Sequence, residues 1–277
     1  MSWKKEVDEL SARRAMAEKM GGEEKVARQH SRGKMDARAR LAAIVDPGSF
    51  REIGKIAGRG DYGPDGELED LAASNFIFGR ANVGGRPVVA SADDFTVRGG
   101  AADAALHRKF IQCEAMAHEY RLPLIRMIDG TGGGGSVKTL EDMGYTYIPH
   151  VPGWDQIIAN LDTVPVVALA LGPTAGLGAA RVVASHYSIM VRGLSQLFAA
   201  GPAVAAAIGD TLDREELGGV DVHTRNGVVD DEVASEAEAF ARARWFLSYL
   251  PSSIHERAMR TPCSDPVDRR DEALLSV

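Results

Sequence analysis

Val164-Pro165-Val166-Val167-Ala168-Leu169-Ala170-Leu171 runs into Gly172-Pro173-Thr174-Ala175-Gly176-Leu177-Gly178, and then into Ala179-Ala180-Arg181-Val182-Val183-Ala184-Ser185-His186. The apolar run, bounded by Pro165 and by Gly172-Pro173, predicts a buried strand, and the small residues after the glycines predict a helix. A strand–turn–helix junction directs the free N–H groups of the helix start beyond the strand end, where an anion or a developing oxyanion is favoured. A second strand, ending Met127-Ile128-Asp129, leads into Gly130-Thr131-Gly132-Gly133-Gly134-Gly135. Composition leaves that run open as a flexible loop. Its place directly after a strand favours a second donor turn.

Strands and helices alternate on either side of these two turns. Asn75 to Val83 and Arg86 to Ser91 read as a hairpin around Gly84-Gly85. Asp93 to Arg98 continues to a break at Gly99-Gly100. Leu106, Phe110, Cys113, Ala117 and Tyr120 recur at helical steps, Leu122 to Ile128 is a strand, and Gln156 to Leu161 is a helix. Ile189 to Val191 is a further strand, and Asp210 to Gly219 is helical. Val233, Ala237, Phe240, Ala243, Leu247 and Leu250 mark a long amphipathic helix. Before the first strand lie a polar helical segment over residues 1–20, a basic stretch from His30 to Arg40, and a glycine- and acid-rich loop over 58–70. The basic stretch is expected to be a solvated helix face, with contact to ligand phosphates or a partner subunit as the sharper alternative. Strand–helix alternation with glycines at strand ends argues an α/β architecture.

The totals bound the function. The 277 residues are 45% hydrophobic and 26% charged, those of an ordinary globular protein, and the formal net charge of -7 gives no support to a nucleic-acid surface. No apolar run approaches a membrane span, and Met1-Ser2-Trp3-Lys4-Lys5 leads into acids, not into a signal-peptide core. Cys113 and Cys263 fit no disulfide or metal spacing and suit a reducing cytosol, so a cytoplasmic location is expected. The seven histidines show no ligand spacing, and no metal is expected. There is no phosphate-loop or dinucleotide fingerprint, and Ser91 and Ser185 lack a nucleophile elbow. Asp93 and Asp94 are adjacent strand residues and point to opposite faces. What is left is catalysis by backbone amides, which needs glycines and small residues where an enolate oxygen develops charge.

Several stretches together resemble the carboxyltransferase (β) subunit of biotin-dependent acyl-CoA carboxylases of the propionyl-CoA and methylcrotonyl-CoA type. They are Arg32-Gly33-Lys34-Met35-Asp36-Ala37-Arg38-Ala39-Arg40-Leu41 with Asp46-Pro47-Gly48-Ser49-Phe50, Asp94-Phe95-Thr96-Val97-Arg98-Gly99-Gly100, and Leu122-Pro123-Leu124-Ile125. Asp129 with its glycines, Gly172-Pro173-Thr174-Ala175-Gly176, Glu215-Glu216-Leu217-Gly218-Gly219-Val220-Asp221-Val222-His223 and Asp265-Pro266-Val267-Asp268-Arg269-Arg270-Asp271-Glu272 complete the set. The chain departs from the family pattern at Thr174, where a Cys is usual, and in the glycine run, where Ser-Gly-Gly-Ala is usual.

The resemblance implies a crotonase-like spiral of strand–strand–helix units. It corresponds to the N-terminal half of the family, with a helical extension over 1–57 and a core over 58–277. It implies backbone oxyanion donors among Gly132, Gly133 and Gly134, helped by Gly176 and Leu177. CoA contacts are expected at Arg98, Gly99, Gly100, Ala175 and Gly178. Biotin is implied as carboxybiotin on a partner carrier. Implied partners are the acyl-CoA substrate, a biotin carboxylase and carrier subunit, a C-terminal carboxyltransferase half on another chain or beyond this stretch, and further copies of this chain. The expected function is carboxyl transfer to an acyl-CoA enolate. The alternatives are a biotin-dependent acyl-CoA decarboxylase subunit and a non-catalytic acyl-CoA-binding or scaffolding half. A hydratase or hydrolase would need an acid or base near the glycines, with Asp129, Glu141 and Asp142 as its only candidates.

Overall fold

The computed structural model describes residues 2–101, 107–130, 141, 144, 153–209, 211–260 and 262–276. The chain opens with helices α1 (Lys4–Glu18), α2 (Glu23–His30) and α3 (Ala37–Ile44). Strands β1 (Arg51–Glu52), β2 (Gly58–Tyr62), β3 (Leu68–Ala73), β4 (Phe76–Val83) and β5 (Arg86–Asp93) follow, then a 3-10 turn at Arg98–Gly100 and helix α4 (His107–Tyr120). Next come β6 (Leu124–Gly130), α5 (Trp154–Thr163), β7 (Val166–Ala175), α6 (Leu177–Val183), β8 (Tyr187–Val191) and β9 (Gln196–Phe198). Three short helices, α7 (Pro202–Ala207), α8 (Arg214–Gly218) and α9 (Val220–His223), precede β10 (Asp231–Val233) and α10 (Glu236–Ser248).

One sheet in the order β1-β4-β5-β6-β7-β8-β10 carries the fold, with β9 paired to β7 off that path. It is parallel from β5 through β10 and antiparallel where the β4–β5 hairpin closes it. The hairpin turns on Gly84 and Gly85, both with positive φ (59° and 80°), as a two-residue turn of matching twist requires. Every residue of β6 is buried and β7 is buried over Val166–Gly172, because helices cover both faces and leave no solvated side to alternate with. On one face α3 and α10 pack with Leu41, Ile44, Phe240 and Leu247 against Ile125, Met127, Val167 and Leu169. On the other, Cys113 and Ala117 of α4 meet Phe78, Leu124 and Val166, while Val182 of α6 meets Ile128 and Ala168.

Several expectations are corrected. Strand β7 does not stop at Gly172-Pro173. It pairs with β8 through Ala170 and then with β9 over Pro173–Ala175, and its register with β6 shifts between Ile128 and Gly130. Proline is tolerated there because the irregularity frees it from donating to a ladder. Residues 58–70 are not a loop but most of the hairpin β2–β3. Gly58 allows its close pairing, since a Cβ there would lie 2.2 Å from the Ala72 carbonyl oxygen. With Leu71 as its one buried residue, it lacks the apolar alternation that reveals a strand. Val233 belongs to β10. The buried face of α10 runs Glu236, Ala239, Phe240, Ala243 and Leu247, with Ala237 exposed, and the helix starts at the Ser235 cap. Tyr120 is exposed at the end of α4, and Leu106 lies outside the described residues. Of the residues before 58, α3 belongs to the main core and β1 pairs with β4.

The basic stretch is also not a uniformly solvated face. Arg40 is fully buried and Lys34 is 8% exposed. Arg40 Nη1 donates to Asp129 Oδ2 (2.8 Å), its Nε and Nη2 each donate to one Glu236 oxygen (2.9 Å), and Nη2 also reaches the Leu171 carbonyl (2.7 Å). Lys34 Nζ donates to Asp129 Oδ1 (2.7 Å). Two cations and two carboxylates therefore balance inside the protein and tie α3 and α10 to the ends of β6 and β7. Arg40→Met is expected to cost about 3–5 kcal/mol in urea unfolding at pH 7, since it leaves Asp129 and Glu236 buried with only Lys34 between them. Arg40→Lys is expected to recover little of that loss, because one ammonium cannot replace a guanidinium that spans two carboxylates and a carbonyl.

Candidate active site

The parallel strands β5, β6 and β7 end together, and their C-terminal ends carry the residues singled out from sequence. The register sets Gly130 opposite Thr174. The chain therefore leaves β6 for the glycine run beside the point where β7 turns into α6. Gly132, Gly133 and Gly134 lie outside the described residues, as do Thr131 and Gly135.

The 3-10 turn is built against that strand end. Arg98, Gly99 and Gly100 have φ of 52°, 62° and 67°, three successive left-handed residues of which Arg98 alone carries a side chain. A Cβ on Gly100 would lie 2.5 Å from the Asp129 carbonyl oxygen, and one on Gly130 would lie 2.7 Å from Gly100 Cα. The two backbones touch, so no side chain fits between them. Buried Asp94 holds the approach to the turn, accepting from the Thr96 amide (2.9 Å) and hydroxyl (2.6 Å). Thr96 Oγ1 in turn accepts from the Gly21 amide (2.9 Å), which ties the α1–α2 junction to the same turn.

Gly176 has φ 59° and ψ -124°, a conformation open to glycine. Its amide donates to the Phe198 carbonyl (2.9 Å) and is already used, so Gly176 is not a free oxyanion donor. Leu177, first residue of α6, has no intrahelical acceptor for its N–H. Ala175 and Gly178 flank these two. Arg98, Gly99 and Gly100 are thus joined to Gly130, and Gly130 to the β7–α6 turn.

Side chains beneath the turns are paired off, not poised. Asp129 is fully buried between Lys34 and Arg40, on the sheet face away from α6. Burial, more than the attraction of Asp129, holds the Lys34 amine below its ordinary range. Asp93, on the α6 side, accepts from Arg181 Nη1 at 3.2 and 3.1 Å. Burial pushes the Asp93 carboxyl up, against the pull of Arg181. The adjacent aspartates therefore do point to different neighbours. Arg126, also fully buried, binds Glu114 through Nε (2.9 Å) and Nη2 (2.7 Å) and caps the end of α6 through the Ala184 carbonyl (2.6 Å). Glu141 is exposed and Asp142 lies outside the described residues. Among the described residues no three His, Cys, Asp or Glu side chains gather as metal ligands.

At the rim, Lys25, Arg28 and Arg32 line a pocket with Phe95, Thr96, Arg98 and Gly99. Sequence reasoning reached Arg32 and Arg98 but missed Lys25 and Arg28. Their signal was the spacing Lys25, Arg28, Gln29, one face of α2, with Arg32 in the turn that follows it. Arg181 was missed altogether.

Gly172 is where the β7 irregularity meets the ion network. A Cβ there would stand 2.1 Å from Asp129 Oδ1 and 2.5 Å from Lys34 Nζ. Gly172→Ala is expected to break that pair and lower stability by about 3 kcal/mol or more in urea unfolding. Gly48→Ala, at φ 70° with open space around it, is expected to cost only about 1–2 kcal/mol.

Comparison with known proteins fits this geometry. The carboxyl transferase domain model matches residues 28–277. The methylmalonyl-CoA decarboxylase subunit alpha of Veillonella parvula is 30% identical over 263 residues, covering 93% of this chain and 50% of the relative. The mitochondrial propionyl-CoA carboxylase beta chain of Homo sapiens is 30% identical over 254 residues, covering 90% and 46%. Transcarboxylase 12S, solved as a hexamer assembly with methylmalonyl-coenzyme A and methylmalonic acid bound, superposes with a TM-score of 0.79 at 28% identity over 96% of this chain and 51% of that one. The chain spans about half the length of the curated relatives it matches. With the motifs, the strand-end glycine turns and these matches in agreement, the chain belongs to the carboxyl transferase domain family, with the crotonase-like fold of its solved relatives.

Proposed function

We propose that this chain binds an acyl-CoA and holds the enolate of its thioester during carboxyl transfer. The observation that carries this reading is the side-by-side placement of Gly130, where the glycine run begins, and the β7–α6 turn, where the Leu177 amide has no acceptor within its own helix. One preorganised N–H donor to a developing oxyanion is worth about 10²–10³ in turnover. Leu177 and one of Gly132, Gly133 and Gly134 supply the pair. Arg98, Gly99, Gly100, Ala175 and Gly178 form the walls along which the pantetheine passes. The rim cations Lys25, Arg28, Arg32 and Arg98 receive the phosphates, a local positive field on an acidic protein.

Among the described residues no side chain is placed as a free general base at the strand ends. Asp129 faces the opposite side of the sheet between two cations, which argues against a hydratase or hydrolase. Bound here on a partner carrier, carboxybiotin would supply the carboxyl group, and the ureido nitrogen freed by that loss would take the α-proton. A carboxyltransferase C-terminal half, a biotin carboxylase with its carrier, and further copies of this chain complete the assembly. The decarboxylase relative supports a second reading in which the same amides serve the reverse direction. No described helix is long and apolar enough to cross a membrane. The unpaired Cys113 and Cys263 support a reducing cytoplasm.

Leu177→Pro, read beside Leu177→Ala, which changes the side chain and keeps the N–H, tests the central claim, because proline fits the first helical position and removes the N–H. Combined with biotin carboxylase, carrier and the C-terminal half, it is expected to lose about 10²–10³ in turnover while calorimetry finds acyl-CoA affinity nearly unchanged. Equal losses in both would show that Leu177 does no more than shape the pocket. For the rim, Arg28→Ala with Arg32→Ala is expected to weaken binding of an acyl-CoA and to flatten its salt dependence. Binding of the matching acyl-pantetheine, which lacks the nucleotide phosphates, should be unmoved.

A further inference from the structure

Three buried arginines anchor this fold, and two of them are alike. Arg40 turns its Nε and Nη2 onto the two oxygens of Glu236, and Arg126 turns the same two nitrogens onto Glu114. That edge of a guanidinium presents two parallel N–H bonds, which match a carboxylate. Arg40 goes further, giving its remaining nitrogen, Nη1, to a second carboxylate, Asp129.

Arg181 is the third. It is 8% exposed and gives Nη1 to Asp93, as Arg40 does to Asp129. The rings of Phe76 and Phe110 lie 5.4 and 5.1 Å from its guanidinium carbon and hold the plane in place. Its Nε and Nη2 are buried and meet no acceptor among the described residues. Leaving a buried charged donor unpaired is costly, and such groups in native proteins call for a reason. Arg181 lies one helical turn from Leu177, a rise of about 6 Å. Side chains on a helix lean toward its N-terminus. The unpaired edge is therefore carried on the helix that opens at the reacting turn.

We propose that the Nε–Nη2 edge of Arg181 binds a carboxylate at the far end of the acyl chain, so that this protein takes a CoA thioester of a dicarboxylic acid. This rests on the acyl-CoA reading above and names its substrate class. The carboxylate concerned is not the group transferred, which joins the α-carbon beside the thioester, but one a few carbons further on. Arg181 is a specificity residue here and takes no part in the bond changes.

The test is calorimetry of the full chain with CoA, butyryl-CoA and succinyl-CoA, whose acyl groups have the same four carbons with and without the terminal carboxylate. The wild type is expected to bind succinyl-CoA at least tenfold more tightly than butyryl-CoA. Arg181→Met should abolish that preference with CoA affinity kept within twofold, and Arg181→Lys, which keeps the charge but loses the paired edge, should lose most of it. Should the single Met variant fail to bind CoA, Arg181→Met with Asp93→Asn, which leaves no unpaired charge, gives the deciding value. A wild type that binds the two thioesters equally, or a preference that survives Arg181→Met, overturns the proposal and leaves the acyl-CoA reading standing. Failure of the wild type to bind CoA at all overturns that reading, and this one with it.

Discussion

Asp129 is the charge on which the arrangement turns. It sits one residue before Gly130 at the end of the central strand, fully buried, and it is stable there only because Lys34 and Arg40 reach it from the N-terminal segment. Arg40 also takes Glu236 from α10 and the carbonyl of Leu171. Four segments distant in sequence therefore meet at one point just behind the strand ends. The desolvation penalty of four charges makes the arrangement intolerant of partial assembly, since any missing partner strands the others. Gly172 has no Cβ because that space belongs to the ion pair.

This constraint explains why the amides at the site can be preorganised. The β6 end is held from behind by Lys34 and Arg40, and from the side by the Gly99-Gly100 backbone. The α6 start is held by the Gly176 bond to Phe198, and its end by Arg126. Oxyanion stabilisation depends on donors that do not reorganise during the reaction. Both strand ends at which donors are proposed are fixed from within the protein, the β6 end by buried charge and the α6 start by a backbone hydrogen bond. The carboxylates are spent on this structural work, which fits a chemistry that asks for no side-chain acid or base.

Much of the fold was legible. The apolar runs of β6 and β7, the Gly84-Gly85 hairpin and the helical periodicity of α4 are local signals, and each element formed where they pointed. The hairpin β2–β3 was illegible because Leu71 is its one buried residue and no alternation remains. The extension of β7 through Pro173 was illegible because its partner there, β9, lies over twenty residues away. At the site, the glycines of Arg98-Gly99-Gly100 and of the β7–α6 turn stood out by composition. That Gly176 spends its amide on Phe198 did not, since a hydrogen bond to a distant carbonyl leaves no mark on local sequence.

Sequence by itself determined the α/β class, the glycine turn that opens α6 and the family motifs, because each is written in residues close together along the chain. Tertiary structure alone decided which charges are solvated and which are buried. Arg38, Arg40 and Lys34 share one basic stretch, yet Arg40 is wholly enclosed, Lys34 nearly so, and Arg38 is half-buried against Glu52. The same holds for Arg181, one arginine among many until folding encloses it between two phenylalanines with one edge paired and one edge not. A charge takes its energy from its whole surroundings in space, and no window of sequence contains them.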